Sequence, residues 1–286
     1  MMSLSIDLHS HSTASDGTLS PSELILRASE KGVDVLALTD HDTTEGIEEA
    51  KSAAIRAGIC LIPGVEVSVT WNAQVVHLVG LGVDPGNPSL QQGLATLRAF
   101  RDWRAEEIGR RLEKSGIAGS YEGARGYSNG RLISRTHFAR FLVEKSYAPD
   151  TRKVFKRYLT RGNPGHVPGQ WAALEEAVSW IVSAGGQAVL AHPARYNLTR
   201  TKLRRLIREF RDVGGEGIEV VSGSHSRDEN FTMARHTMDF ELKGSCGSDY
   251  HGPENPWTEL GRLEPMPDGI KPVWSDWVQL QQAASA

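Results

Sequence analysis

The feature that most restricts the fold of this chain is the alternation of short apolar runs with helical segments over its first 85 residues. Predicted strands cover residues 5–8, 33–39, 60–69 and 75–82, and predicted helices cover residues 20–31 and 44–57. Continuous apolar strands that alternate with helices are typical of a parallel sheet covered by helices. The chain is therefore predicted to be an α/β protein, and its 286 residues suffice for one barrel.

A turn cluster at residues 84–88 interrupts this alternation and leads into a long charged helix over 90–115. A loose glycine-rich stretch is predicted over 116–130. The remaining predicted helices cover residues 134–145, 151–160, 172–184, 199–213 and 227–238, and the remaining strands cover 187–191, 217–221 and 242–246. We predict a barrel formed by residues 1–88 and 169–286, with a small helical domain of residues 89–168 inserted as a substrate lid.

Charge is distributed unevenly along a chain whose net charge is only −3. Residues 89–168 hold 12 Arg and 4 Lys against 7 Asp or Glu, a surplus of nine positive charges, and the remainder has an excess of twelve negative charges. A basic segment in an acidic protein favours an anionic ligand that meets that segment. A solvated helical surface is the alternative, and for most of these arginines it is the better interpretation.

Cysteine content and the amino-terminal sequence bear on the compartment. The two cysteines, Cys60 and Cys246, lie in strand-like settings, which favours reduced buried thiols over a disulfide bridge. The sequence starts without a basic segment followed by an apolar one, and charge or histidine interrupts every apolar run before membrane-spanning length. We expect no export, no membrane span and a cytoplasmic location, and no stable protein partner is inferred.

The strongest chemical signal is the run Asp7-Leu8-His9-Ser10-His11-Ser12, followed by Asp16 in a turn. Residues two apart in a strand face the same side, so His9 and His11 can converge on one ion at the strand end. Imidazole pairs of this kind are common metal ligands. Alone, the pair also fits a half-buried polar face, so its interpretation depends on where the other histidines and acids fall.

Further ligand-type residues lie at or near the carboxyl ends of other predicted strands, where the catalytic groups of α/β barrels gather. They are His41 after the second strand, Glu66 in the third, His77 in the fourth, His192 after the fifth, and Asp249 and His251 after the last. Any one of them, such as His77, also fits a satisfied core residue. Together they predict a metal site.

In these motifs the chain resembles the PHP (polymerase and histidinol phosphatase) superfamily. In chain order the motifs are Asp7-Leu8-His9-Ser10-His11-Ser12, Thr39-Asp40-His41-Asp42, Gly64-Val65-Glu66, Ala191-His192-Pro193 and Gly247-Ser248-Asp249-Tyr250-His251. They span nearly the whole chain. The resemblance implies a distorted (β/α)7 TIM-like barrel, the PHP fold, with two or three divalent metal ions per chain.

The same resemblance implies which nine residues hold the ions and carry catalysis. One ion would be held by His9, His11, Glu66 and Asp249, a second by Glu66 as a bridge with His77 and His192, and a third by Asp16, His41 and His251. Some relatives have histidine in place of Asp16. That difference favours Mn²⁺, with Zn²⁺ or Fe²⁺ as alternatives.

Two aspartates flank His41 in the second motif. Asp40 is predicted to accept a ring N–H and so to orient a metal ligand. For Asp42, a helix N-cap is at least as good an interpretation.

Within the superfamily, the chain is most similar to the nucleoside 3′,5′-bisphosphate phosphatases, a group that overlaps with enzymes that trim 5′-phosphorylated short RNA from the 5′ end. The shared features are the turn at residues 16–21, a medium helical insertion and the motif at residues 134–140. This similarity implies that Arg135 and His137 grip a phosphate, a task that suits the planar fork of arginine.

Other substrate contacts are predicted from position. Arg101 and Arg104 lie three apart on one helix face and could meet a second phosphate, with surface solvation as the alternative. Glu219 and His225, near the sixth strand, could contact sugar or base, or be ordinary loop residues. Trp103 could stack on a nucleobase, although a tryptophan on such a helix more often lies in a core or an interface.

These observations predict a metal-dependent phosphoesterase that removes the 3′-phosphate of a small nucleotide such as adenosine 3′,5′-bisphosphate. A hydroxide that bridges two ions would be the nucleophile. One alternative is a 5′–3′ exonuclease on short 5′-phosphorylated RNA or DNA. Another is a histidinol phosphatase, which the basic insertion disfavours. A non-enzymatic alternative is a degenerate metal-binding scaffold, which is disfavoured because no ligand-type residue is missing from the motifs.

Overall fold

A computed structural model describes residues 4–128 and 132–277 of the chain. Within these residues, one seven-stranded sheet has its strands in sequential order. The strands are β1 (Ile6–Asp7), β2 (Val35–Leu38), β3 (Cys60–Trp71), β4 (Gln74–Leu81), β5 (Gln187–Leu190), β6 (Gly217–Ser222) and β7 (Lys243–Gly247). The last strand returns to the first, since Leu8 N donates to Cys246 O at 3.0 Å. The sheet is therefore a nearly closed barrel, as predicted.

Helices surround this barrel and extend it on one side. Those that pack on the barrel are α1 (Pro21–Glu30), α2 (Ile47–Ala57), α7 (Leu174–Ser183), α8 (Arg200–Asp212) and α9 (Arg227–Asp239). The start of α1 shows how local sequence sets these bounds. Ser20 and Glu23 form a capping box there, which satisfies two helix N–H groups. Among the helices of the described residues, none has the length and hydropathy needed to cross a membrane.

Strand β4 runs antiparallel to both of its neighbours, which corrects the expectation of a parallel sheet throughout. Only Asn72 and Ala73 separate β3 from β4, and their φ angles of 48° and 59° are typical of a type I′ hairpin turn. Parallel strands need a crossover of a dozen or more residues, so this short connection requires a reversal. His77 consequently lies near the amino end of β4, where its carbonyl accepts from Ala191 N at 3.1 Å.

The segment after β4 folds into α3 (Pro88–Lys114), α4 (Ser120–Arg125), α5 (Arg135–Glu144) and α6 (Thr151–Val154), and α6 continues as a π-helical turn over Phe155–Leu159. Helix α4 corrects the expectation of a loose stretch over 116–130, of which residues 129 and 130 lie outside the described residues. Side chains from 105 to 167 form a separate hydrophobic cluster. The beginning of α3, from Leu90 to Leu97, packs in the barrel core instead. The domain division at residues 89 and 168 remains a prediction.

Alternation along the strands separates the barrel interior from the layer under the helices. On β2, Val35 and Ala37 face the interior, whereas Leu36 and Leu38 pack in the cluster that contains α1 and α2. The interior is therefore filled with apolar side chains, and polar chemistry is confined to a rim. Both cysteines are free, as predicted, although Cys60 is only half-buried.

Candidate metal centre

The nine predicted ligand residues meet at one rim of the barrel. They form four overlapping groups, and within each group the nitrogen and oxygen ligand atoms lie within 4.8 Å of one another. The groups are His9, Glu66 and His192; His9, His11 and Asp249; His41, Glu66 and His77; and His11, Asp16, His41 and His251. Groups that share members describe one continuous cluster.

The fully buried carboxylate of Glu66 lies at the centre of this cluster. Its Oε1 lies 2.8 Å from His77 Nδ1 and 3.0 Å from His192 Nε2. Its Oε2 lies 2.7 Å from His41 Nδ1 and 3.3 Å from His11 Nε2. His9 Nε2 also lies 3.5 Å from Oε1, so each oxygen faces a different set of imidazoles, an arrangement suited to a carboxylate that bridges two cations.

Two further carboxylates complete the cluster on either side. Asp249 Oδ1 lies 3.5 Å from His9 Nε2 and 3.4 Å from His11 Nε2. Asp16 Oδ1 lies 3.3 Å from His251 Nε2 and 3.8 Å from His41 Nε2. The two ends of the cluster are therefore built from different carboxylates.

The residues present fit divalent cations, because several of their buried polar atoms have no other partner. Within the described residues, these atoms make no hydrogen bond: His9 Nε2, His11 Nε2, Asp16 Oδ1, His41 Nδ1 and Glu66 Oε2. A buried polar atom without a partner costs about 1–3 kcal/mol. Such a concentration at one place is explained by cations that these atoms would coordinate.

The carboxylates and two imidazoles of the cluster have electrostatics that agree with this explanation. Burial, reinforced by His251 and His41, lowers the pKa of His11 to about 3. Burial likewise lowers the pKa of His77 to about 4, against the opposing effect of Glu66. Burial alone would raise the pKa of Glu66, but the surrounding histidines hold it well below its usual range. Neutral imidazoles and ionised carboxylates are the forms that bind metal ions. Against the effect of burial, neighbouring carboxylates raise the pKa of His9 and His41, and that of His251 to about 9, so these three rings must lose a proton when a cation binds.

Glu219 supports the cluster from inside β6, where it is buried. Its Oε2 accepts from His192 N at 2.6 Å and lies 3.2 Å from His9 Nδ1. This position orients two ligand residues. Glu219 is not among the residues that line the cavity described below, and its contact with sugar or base stays a prediction. His225 also lies outside the lining of that cavity, and its Nε2 accepts from Ala194 N at 3.4 Å.

Both aspartates beside His41 differ from expectation. The carboxylate of Asp40 accepts from Ser12 N at 2.8 Å and from the Ser15 hydroxyl at 2.6 Å, so it shapes the loop of the first motif and receives no ring N–H. Asp42 is not a helix N-cap, since Gly46 occupies that position of α2. Its carboxylate instead accepts from Arg101 Nε at 2.6 Å.

A cavity of about 200 Å³ joins the ligand cluster to the helical segment. Its walls contain seven of the nine ligand residues, four arginines and two aromatic rings. They are Asp16, His41, Glu66, Ser68, Val75, His77, Arg101, Arg104, Ser134, Arg135, Thr136, Phe155, Trp171, His192, Arg195, Asp249 and His251. The ligand cluster and a basic wall therefore face the same space.

Three arginines of α3 and α5 form that basic wall. Arg101 is held by Asp42 and by the Ser68 hydroxyl, at 2.6 and 2.8 Å. Arg104 donates only to a neutral acceptor, the Val167 carbonyl. Burial and the neighbouring Arg135 and Arg101 lower the pKa of Arg104 to about 9. Positive charge in the wall is thus incompletely neutralised, which favours an anion.

Comparison with known proteins places the chain in a family. The model of the PHP domain family matches residues 7–216. The chain belongs to the PHP family. It is 51% identical to the 3′,5′-nucleoside bisphosphate phosphatase of Chromobacterium violaceum, with 95% of each chain covered. It is 45% identical to a 5′-3′ exoribonuclease of Haemophilus influenzae, which covers 96% of this chain and 99% of that one.

Solved structures agree with the PHP fold. One, described as an amidohydrolase from Chromobacterium violaceum with bound sulfate and no metal, has 49% sequence identity and a TM-score of 0.92, and covers 98% of this chain and 96% of that one. Another, a candidate metal-dependent phosphoesterase from Bifidobacterium adolescentis, has 25% identity and a TM-score of 0.79 over 94% and 92% of the two chains. This PHP protein is a metal-dependent phosphoesterase, as the sequence predicted.

Two cavity-lining residues of this PHP protein were not found by sequence reasoning, and two more candidate substrate contacts, besides Glu219 and His225, lie outside the cavity lining. Trp171 and Arg195 line the cavity. In the sequence, the only signal for Trp171 is its proximity to the end of the insertion, and the only signal for Arg195 is its proximity to His192. His137 does not line it, because its Nδ1 accepts from Ser134 N at 3.1 Å in the cap of α5. Trp103 is half exposed and packs beside Phe100, away from the cavity lining.

Proposed function

We propose that this PHP protein removes the 3′-phosphate from nucleoside 3′,5′-bisphosphates such as adenosine 3′,5′-bisphosphate. The observation that carries this proposal is the cavity in which a cluster of metal ligands faces two buried arginines, Arg101 and Arg104, and the half-buried Arg135. A substrate with two phosphates would place one at the cations and the other at the arginines. The 51% identity to a named bisphosphate phosphatase supports the same reading.

The proposed ligand sets are those that the resemblance to PHP proteins implies. His9, His11, Glu66 and Asp249 would hold one cation, Glu66 with His77 and His192 a second, and Asp16, His41 and His251 a third. Three carboxylates among the imidazoles favour Mn²⁺, with Zn²⁺ or Fe²⁺ as alternatives. When bound, the cations supply Lewis acidity toward the phosphoryl oxygens and an activated water.

The residues of the chain itself would position the substrate. The Asp42 carboxylate fixes the Arg101 guanidinium, so less entropy is lost when a phosphate binds. Trp171 lies under Arg101 and Arg104, at 4.9 and 5.5 Å from its ring centre, and limits where their guanidinium planes can move. The segment of residues 89–168 would thus act as the substrate lid.

Comparison of substrates with and without the second phosphate tests this proposal. Phosphate release would be measured for adenosine 3′,5′-bisphosphate and for adenosine 3′-phosphate, in the wild type and in Arg135→Ala. We expect Arg135→Ala to lower kcat/KM for the bisphosphate by about tenfold to a hundredfold, the loss of one charged hydrogen-bond partner. For the monophosphate the two enzymes should differ little, because the partner of Arg135 is absent.

An equal loss with both substrates would contradict the assignment of Arg135 to the second phosphate. The exposed Arg152 near α6, changed to alanine, is the matched control and should behave as the wild type with both substrates. Histidinol phosphate should not be turned over, because a basic wall repels its ammonium group.

A second candidate function is 5′–3′ exonuclease activity on short 5′-phosphorylated RNA. The relative from Haemophilus influenzae carries that name, and the cavity volume favours it too. At about 200 Å³ the cavity is smaller than the roughly 300–1,000 Å³ typical of small-molecule sites. Part of a nucleotide would therefore lie outside the cavity, where a chain of further nucleotides could continue.

A further inference from the structure

Helix α8 has a charge that contrasts with the acidic remainder of the barrel. Its 13 residues contain six basic side chains against two acidic ones. The basic residues are Arg200, Lys202, Arg204, Arg205, Arg208 and Arg211, and the acidic ones are Glu209 and Asp212. Burial of the apolar face against the barrel leaves these basic groups on the outside of the molecule.

The basic face of α8 forms one wall of a groove, and α9 forms the other. The groove is open, with a volume of about 750 Å³, and is lined by Arg200, Thr201, Arg204, Arg205, Arg208, Arg235 and Asp239. Arg200, Arg204 and Arg208 are spaced four residues apart, so they follow one helix face over about 12 Å. The groove therefore presents a row of guanidinium groups.

Only part of this positive charge is neutralised. Arg204 pairs with Asp239 at 2.5 Å and Arg205 pairs with Glu209 at 2.7 Å. In the part of the chain that the structure describes, Arg200, Arg208 and Arg235 form no ion pair with an acidic residue. Three exposed guanidinium groups thus face the groove without a direct ion pair, although Glu209 lies near Arg208 and Asp239 near Arg235.

The groove begins close to the metal centre. Arg195 lines the cavity beside the ligand cluster, and Arg200 follows Arg195 by five residues in the chain. Five residues of extended chain span at most about 18 Å. A polymer whose end lies in the cavity can therefore reach the row of arginines. A sequence of regularly spaced anions along a flexible chain is the chemistry of a single-stranded nucleic acid backbone.

We propose that the α8–α9 groove binds the phosphodiester backbone of single-stranded RNA whose 5′-terminal nucleotide lies in the metal cavity. This inference rests on the phosphoesterase function proposed above and extends it to a longer substrate. An anionic membrane is a poorer fit, because membrane-bound helices expose large apolar side chains beside their basic ones. The apolar side chains of α8, such as Leu206 and Phe210, are buried in the barrel core.

Binding of RNA by a groove variant tests the proposal. The variant combines Arg200→Ala, Arg208→Ala and Arg235→Ala. Its control combines Arg56→Ala, Arg262→Ala and Lys271→Ala, which are exposed residues outside the lid and the groove whose replacement removes the same charge. Fluorescence anisotropy would measure binding of a 5′-phosphorylated, 3′-labelled RNA of about twelve nucleotides at several salt concentrations. Chelator would be present to prevent cleavage.

The groove variant should bind the RNA at least about tenfold more weakly at low salt. The slope of log Kd against log salt should fall by about 2, because each single-strand phosphate contact contributes about 0.7. The control variant should bind like the wild type. With metal added, both variants should release phosphate from adenosine 3′,5′-bisphosphate at the wild-type rate, and unchanged thermal melting would show that the groove variant is folded.

Equal RNA binding by the wild type and the groove variant would overturn the proposal, and so would equal weakening in the control. If the groove variant bound RNA like the wild type but bound phosphatidylserine vesicles more weakly, the proposal would be overturned in favour of a membrane site. A wild type that hydrolyses neither the bisphosphate nor the RNA would refute the proposed function instead, while the anisotropy data would still decide the groove.

Discussion

Glu219 contacts two residues of the ligand cluster, and the substitution Glu219→Gln removes its charge while keeping its shape. The carboxylate accepts from His192 N at 2.6 Å and lies 3.2 Å from His9 Nδ1. Groups that orient metal ligands in this way typically account for about 10–100-fold in metal affinity or activity. Glutamine retains one acceptor oxygen, so we expect the lower end of that range, about tenfold or about 1.4 kcal/mol.

The assay separates a positioning role from a contact with substrate. Mn²⁺ affinity would be measured by competition with a chromophoric chelator, and kcat and KM by phosphate release at saturating Mn²⁺. We expect weaker Mn²⁺ binding with little change in KM. Glu216→Gln is the matched control, since Glu216 precedes β6 and contacts Lys243 at the surface. A variant with wild-type Mn²⁺ affinity and a raised KM would refute the positioning role and restore the sugar or base contact.

Two further predictions concern the metal ions and the packing of the lid. Stringent chelation should abolish phosphate release and lower Tm. Addition of Mn²⁺ at about a hundred times its Kd should restore activity and raise the free energy of unfolding by about 2.7 kcal/mol. Full turnover after chelation would contradict the metal assignment. Gly93→Ala should destabilise the protein by about 1–3 kcal/mol in urea unfolding despite the helix propensity of alanine, because the new Cβ would lie 2.4 Å from the Trp180 ring. A Gly93→Ala variant more stable than the wild type would contradict this prediction and show that α3 can shift away from Trp180.

The ligand cluster could be predicted from the sequence because its signals are local. His9 and His11 are two apart in a strand, and the two-residue period places them on one side. His192 and Asp249 follow apolar runs, and the carboxyl ends of such strands share one rim. Each inference needs only a few neighbouring residues, and the order of the strands did not have to be known.

Roles that depend on partners far along the chain could not be predicted in this way. Glu219 and His9 are 210 residues apart, and only their contact in the barrel shows that the carboxylate serves the cluster. The contact of Arg104 with a phosphate stays a prediction, but the Val167 carbonyl that holds its guanidinium comes from the return of the chain after α6 and could not be predicted from nearby residues. Trp171 was missed because nothing near it in the sequence indicates that it faces two arginines.

The sequence by itself determined that this protein is an α/β barrel with a rim rich in metal ligands, since hydrophobic periodicity and strand-end position are properties of short segments. Only the tertiary structure decided which way β4 runs in the sheet, which buried carboxylates orient ligands, and which arginines face the cavity. A buried charge must have a partner, and in this chain that partner is supplied by whichever distant element packs against it.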